Sequence, residues 1–372
     1  MTIESTIRKK IEAVGSGDLP AITPGLCLQA VHRGKLVADL QMCRTWRYYD
    51  LASLTKIIFA VPAIMQLAGL RASTRRRARG ERHPLHLAAP MQKYLPDWPH
   101  STTRVREVLS HSAGLLAWGA FYKKIASRKF QSAEEKRTFV KRILFQSPIG
   151  SKRRAVYSDL DFILLGFLLE ERYDRPLEEI WQNEIPWRAR TPSLHFNKID
   201  LHGRCKTRFA RNQYAPTERC PWRKKILQGE VHDDNAWSFG GISTHAGLFG
   251  TINDVTNFGQ LLRAAWRGQT IHGFPLPATI RQFTRRAIPR AVGDFALGFM
   301  LPTKGSASCG RYFSLSSFGH TGFTGTSLWY DPKRDLLVTL LSNRVHPTRE
   351  NRTFVALRPK IHDIIVETID GI

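Results

Sequence analysis

At 372 residues, with 42% hydrophobic and 23% charged side chains, the chain can bury the core of one large domain or two ordinary ones. Its 56 Lys and Arg outnumber its 31 Asp and Glu, for a formal net charge of +25. That field attracts anionic polymers. The arginines are scattered, however, with no zinc-finger spacing, arginine-rich tail or aromatic-interleaved RNA motif, which argues against specific nucleic-acid binding.

Five isolated cysteines (Cys27, Cys43, Cys205, Cys220 and Cys309) form no Cys-x-x-Cys. This composition argues against a disulfide framework or a structural zinc site, and fits a reducing compartment. The opening Met1-Thr2-Ile3-Glu4-Ser5 lacks the charged-then-apolar pattern of a signal peptide. The longest apolar runs, near 57–65 and 162–169, are too short to span a bilayer. The expectation is a cytoplasmic protein by default, with export by another route left open and no transmembrane segment.

Apolar spacing at Ile7, Ile11 and Val14 predicts an amphipathic helix over 6–14, broken at Gly15-Ser16-Gly17. Strands are expected over 26–31 and 35–40, paired as a hairpin through His32-Arg33-Gly34. Asp50 then reads as the N-cap of a helix carrying Ser53 and Lys56, with Pro62 either kinking it or beginning a second segment. The arginine-dense stretch 71–84 reads as a solvated loop.

Short helices are expected over 105–109 and 132–145, the latter started by Ser132 with Glu135 three residues on, and an apolar helix over 160–171. Residues 198–228 are basic, polar and expected to be irregular. After a glycine-rich turn over 240–250, Thr251 and Asp254 form a capping box for a helix to Arg263. Strands are expected over 313–315, 325–330 and 336–341, and a last helix over 349–367 broken at Pro359. Strands at both ends with helices between predict an α+β fold. An antiparallel sheet is built from both termini (1–71 and 238–372), flanked by helices, with a mostly helical domain (72–237) inserted.

Ser53 and Lys56 are three residues apart, so on a helix they share a face. A serine hydroxyl needs its proton removed before it attacks, and a lysine held near another cation can be neutral enough to help. Alone, Ser-x-x-Lys is a common tetrapeptide, and Tyr157 or His320-Thr321-Gly322 could be a tied-down core tyrosine and ordinary turn chemistry. Their order gives them weight: Ser53-x-x-Lys56, Tyr157-Ser158-Asp159, then His320-Thr321-Gly322.

This order resembles the serine β-lactamase and penicillin-binding-protein superfamily, in particular its class C-like branch of esterases, D-aminopeptidases and D,D-carboxypeptidases. The stretches Ser110-His111-Ser112-Ala113-Gly114, His245-Ala246-Gly247-Leu248-Phe249 and Leu341-Ser342-Asn343-Arg344 resemble it too, so the resemblance spans nearly the whole chain. It implies a β-lactamase/transpeptidase-like fold and a Ser53 nucleophile that forms an acyl-enzyme, with Lys56 easing removal of its proton. Tyr157 is implied as a proton shuttle with a pKa lowered by Lys56 and His320, and the backbone N–H groups of Ser53 and Phe323 as an oxyanion hole.

Substrate contacts are implied at Asp159, Thr321, Gly322 and Asn343, with Phe323 presented by an edge strand. No cofactor or metal is implied, and His232, Asp233 and His245 read as a buried hydrogen-bonding cluster. Asp159 stands where many relatives have Asn, and His320 where penicillin-binding enzymes mostly have Lys. Both departures argue against an efficient β-lactamase. The expected activity is hydrolysis of a small ester, amide or D-amino-acid peptide. The alternatives are a cell-wall D,D-carboxypeptidase or β-lactamase, and a non-catalytic protein holding an anionic polymer on its basic surface. With His320 unperturbed, the rate would rise through a histidine titration near pH 6.5.

Overall fold

The computed structural model describes residues 2–15, 18–69 and 84–372. Most of the arginine-dense stretch, part of the first glycine turn and the expected boundary at 71/72 lie outside the described residues.

Helix α1 (Ile3–Val14) begins where the Thr2 hydroxyl accepts the Ser5 N–H at 3.1 Å, and it buries Ile7 and Ile11. Strands β1 (Gly25–His32) and β2 (Lys35–Cys43) form the expected hairpin. Strands β3 (Phe318–Thr321), β4 (Ser327–Asp331) and β5 (Leu336–Ser342) complete an antiparallel sheet in the order β3-β4-β5-β1-β2. Both ends of the chain thus build one sheet.

Alternation along the central strands sorts their side chains to two faces. Cys27, Val31, Leu337 and Leu341 join the larger core with Val255 and Phe258 of helix α3 (Ile252–Trp266). Leu26, Leu28, Ala30, Val338 and Leu340 meet α1 and the C-terminal helix α4 (Thr353–Asp370). Each such fully buried aliphatic contributes roughly 1.5–3 kcal/mol. The larger core runs on through 54–67 and the helical stretch 85–187. One continuous apolar body therefore backs the segment that carries Ser53 and helix α2 (Asp159–Tyr173).

Several expectations fail locally. The Ser53 segment is not an α-helix from its start. A tight turn (Lys56 N–H to Ser53 O, 3.1 Å) leads into a wide π turn over Lys56–Ala60, and Pro62 opens the α-helix that follows. Proline is favoured at such a first turn, where its missing N–H has no helical partner.

Residues 313–315 are not a strand. Ser314 turns back to Asp331, which accepts its N–H at 3.0 Å and its hydroxyl at 2.5 Å. Pro359 lies inside α4 without ending it, because Leu357, Ile361, Ile364 and Ile365 stay buried along one stripe. Packing there outweighs the lost backbone hydrogen bond.

Candidate active site

Three elements converge on the Ser53 turn. The first is the turn itself, held by Asp50. The Asp50 carboxylate does not cap a long helix but accepts the Ala52 N–H (2.8 Å) and the His232 N–H (2.6 Å). The second is the loop before α2, which carries Tyr157. The third is the turn after β3. There, Thr324 donates to the Asp50 carbonyl (2.8 Å) and Thr326 to the Leu51 carbonyl (3.0 Å), bolting that turn to the Ser53 turn. Gly322 is required at this junction, because a Cβ there would lie 2.7 Å from the Leu51 carbonyl oxygen.

Ser53 is half-buried and its Oγ accepts two hydrogen bonds, from Lys56 Nζ at 2.8 Å and from Tyr157 Oη at 2.8 Å. Lys56 is fully buried. Its Nζ also donates to Asp159 Oδ1 at 2.7 Å and to the His245 carbonyl at 3.1 Å. Burial pushes the Lys56 ammonium down, but Asp159 and then Tyr157 more than reverse this, so it sits above its ordinary range. The expected cation beside Lys56 is in fact an anion.

Burial likewise raises the Tyr157 phenol, and the opposing pull of Lys56 does not offset it. Tyr157 at rest is therefore a neutral donor, not the acidified tyrosine expected from its cationic neighbours.

His320 corrects a second expectation. Burial first, then Lys56, lowers its imidazole to about 3, so it is neutral throughout the physiological range and no titration near pH 6.5 remains. Its Nδ1 lies 2.8 Å from the Thr321 carbonyl and so carries the proton. That leaves Nε2 a bare acceptor, buried and without a partner among the described residues, on a ring 5.7 Å from that of Tyr157.

The expected substrate contacts divide. The Asp159 carboxylate is engaged by Lys56. Thr321 is half-buried, with its hydroxyl toward Met300 Sδ at 3.8 Å. Asn343 is buried and donates to the Pro216 carbonyl at 2.9 Å, making no hydrogen bond to Ser53, Lys56, Tyr157 or His320. Phe323 is not on the edge strand but two residues beyond β3. The residue is 48% exposed, with its ring stacked on His232 at 5.6 Å and capped by the Arg344 guanidinium at 4.8 Å. Among the described residues, neither the Ser53 nor the Phe323 backbone N–H has a hydrogen-bond partner. Two unpartnered donors, one on the Ser53 turn and one on the turn bolted to it, suit an anionic tetrahedral centre.

His245 Nε2 meets Asp233 Oδ1 at 2.9 Å and its Nδ1 meets Ser243 Oγ at 2.7 Å, while His232 Nε2 meets Glu218 Oε2 at 3.1 Å. Burial pushes Asp233 up, but His245 pulls it far below the usual carboxylate range. This hydrogen-bonded cluster holds the glycine-rich turn whose His245 carbonyl reaches Lys56. That carbonyl escaped sequence reasoning, since a backbone oxygen leaves no signal in side-chain identity. Thr324 and Thr326 escaped it because their partners lie some 270 residues away, at separations of 274 and 275.

The beta-lactamase family model matches residues 18–358. The chain belongs to the beta-lactamase family. It is a serine hydrolase, with the β-lactamase/transpeptidase-like fold. It is 30% identical to a "Putative D-alanyl-D-alanine carboxypeptidase" of Escherichia coli (strain K12), over 81% of this chain and 70% of that protein. It is 28% identical to an N-acetylmuramyl-L-alanine amidase of Bacillus subtilis (strain 168), over 91% of this chain and 81% of that one. In fold it is similar to EstCE1, a hydrolase with promiscuous acyltransferase activity. The TM-score is 0.65 at 17% identity, covering 97% of this chain and 98% of that one. It is also similar to the octameric penicillin-binding protein homologue from Pyrococcus abyssi, with TM-score 0.66 at 16% identity, covering 98% of this chain and 77% of that one. Among the described residues, no helix is long and apolar enough to cross a membrane.

Proposed function

We propose that this hydrolase works through a Ser53 acyl-enzyme on a neutral ester or amide that carries an apolar acyl group. The observation that carries the reading is the Ser53 Oγ, held at 2.8 Å by both Lys56 Nζ and Tyr157 Oη. As both are donors at rest, one must lose its proton before it can accept the proton of Ser53. Tyr157 raises Lys56 while Lys56 pulls Tyr157 down, so the loss belongs to the coupled pair and falls at alkaline pH.

The pair then takes the serine proton as the Oγ–carbonyl bond forms, and the carbonyl electrons move to an oxygen held by the Ser53 and Phe323 N–H groups. The same proton passes to the leaving group as its bond to carbon breaks. Water repeats the sequence to free the acid.

Charge supports a neutral substrate. Lys56 is neutralised by Asp159, and His320 carries no charge. A substrate carboxylate therefore finds no free cation among these residues, unlike a site with lysine at position 320. Apolar surface supports the acyl group. Leu116, Trp118, Val156 and Phe323 are each about half exposed. The Leu116 and Ala117 carbonyls accept from Ser158 Oγ (2.6 Å) and the Asp159 N–H (2.8 Å), which places this rim against the Tyr157 loop.

A cell-wall peptidase is the second reading, supported by the names of the relatives. Intact-mass spectrometry after treatment with a fluorophosphonate and, separately, a fluorescent penicillin separates the two. The expected result is a fluorophosphonate adduct that Ser53→Ala abolishes, with little penicillin adduct. Equal labelling by both would favour the peptidase, and labelling by neither would overturn the acyl-enzyme.

A further inference from the structure

We propose that His111 and Asp161 form an uncharged clamp that positions Tyr157, with the clamp's proton held on the Asp161 carboxyl. This rests on the reading of Tyr157 as a proton-transfer group. Both side chains are 1% exposed. His111 grips the backbone on either side of Tyr157: its carbonyl accepts the Val156 N–H at 2.9 Å, and its ring Nδ1 accepts the Ser158 N–H at 3.2 Å. The ring lies 4.8 Å from the Tyr157 ring, so one residue holds the tyrosine's two neighbours and its face. A left-handed backbone at His111 (φ 55°) allows carbonyl and ring to reach the same strand of chain.

The proton's place follows from the Ser158 N–H. A backbone N–H can only donate, so the Nδ1 it points at presents a lone pair and the ring proton sits on Nε2. Asp161 Oδ2 lies 3.0 Å from that same Nδ1. As a carboxylate, Asp161 would set a second lone pair against the first. As a carboxylic acid it donates, and the two donors share the single Nδ1 lone pair, the Ser158 N–H at the longer distance. The surroundings agree. Among the described residues, Asp161 Oδ1 is buried without a partner, which is costly for a carboxylate and tolerable for a carbonyl oxygen. Phe162 and Phe295 pack on the His111 ring at 5.4 and 5.0 Å. Burial, against the pull of Lys56, holds Asp161 well above the carboxylate range, and burial with Lys56 and His320 holds His111 well below the imidazole range. The charged or titratable groups facing the pair are Lys56, Asp159, Tyr157 and His320.

His111 and Asp161 are positioning residues, since neither touches Ser53. The test compares Asp161→Asn with Asp161→Ala. The asparagine amide donates to Nδ1 as the carboxylic acid does, whereas alanine leaves Nδ1 without that donor. Asp161→Asn is expected to retain most of the turnover that Asp161→Ala loses. The alanine variant should fall roughly 10–100-fold in kcat with KM little changed, the scale of a misplaced reacting group.

Infrared difference spectra of native protein minus Asp161→Asn should contain a protonated-carboxyl C=O band that does not change from about pH 6 to 8. Equal damage in both variants, native turnover in Asp161→Ala, or absence of the carboxyl band overturns the proposal. If the alanine variant does not fold, the asparagine variant and the infrared band still decide it. Retained turnover in Ser53→Ala would instead overturn the reading of the site, with the infrared band still reporting on the clamp.

Discussion

Replacing Asp159 with Asn removes a charge 2.7 Å from the buried Lys56 ammonium while keeping an acceptor there. At that distance the Coulomb energy is about 1.5 kcal/mol in bulk water and about 6 kcal/mol at an effective dielectric of 20. Lys56 is not exposed at all and Asp159 only 19%, so screening is weak and the upper part of that range applies. The asparagine carbonyl keeps one hydrogen bond. Asp159 raises both Lys56 and Tyr157, so its loss makes the pair easier to deprotonate.

In the native enzyme, kcat/KM for a neutral ester should keep rising above about pH 8, toward the range where lysine and tyrosine titrate. In Asp159→Asn that limb should move acidward by at least about one pH unit, the equivalent of about 1.4 kcal/mol. Activity at pH 7 should then rise by at least roughly tenfold. Stability should fall at the same time, by about 3–5 kcal/mol, because a buried charge loses its partner. The assay is kcat/KM against pH from 6 to 10 for both proteins, with urea unfolding at pH 7. A limb that stays in place, or moves alkaline, would refute the view that Asp159 sets the proton affinity of the pair.

Two further outcomes follow from the geometry. Thr324→Val with Thr326→Val strips the Asp50 and Leu51 carbonyls of their side-chain donors. This should cost about 2–4 kcal/mol in all and lower kcat as the Phe323 N–H drifts from Ser53, and an unchanged kcat in a destabilised double variant would show that the bolts serve stability alone. The second concerns acid. Burial lowers His195 to about 4 and His320 and His362 to about 3, while unfolded histidine takes up a proton near pH 6.5. Between these values the unfolded chain binds more protons, so stability falls as pH drops, by about 1.4 kcal/mol per pH unit per histidine. Urea midpoints from pH 7 to 4.5 should follow that slope, and His362→Gln should reduce it by about one proton; an unaltered slope would contradict the burial of His362 as a neutral group.

Much of this protein is set by local pattern, and local pattern is legible in a sequence. Thr2, Ser132, Ser158 and Thr251 each accept an N–H at a helix start, because a short hydroxyl before a helical run has a free donor within reach. The hairpin over 25–43 is legible in the two-residue period of β2, which buries Ala38, Leu40 and Met42 and exposes the residues between. The three-residue spacing of Ser53 and Lys56 puts their side chains in contact within one turn.

What sequence does not carry is the electrical state of that contact. Lys56 beside a serine suits an activated, neutral amine, but Asp159, 103 residues away, bonds to it and raises its proton affinity. A histidine at 320 suits a switch near pH 6.5, but burial beside Lys56 keeps it neutral. Pro359 could be read as a helix end until the apolar stripe that overrides it was in place. Residue type and spacing determine which groups can meet. Burial, partner identity and backbone carbonyls such as that of His245 determine which of them hold a proton, and those exist only once distant segments have packed together.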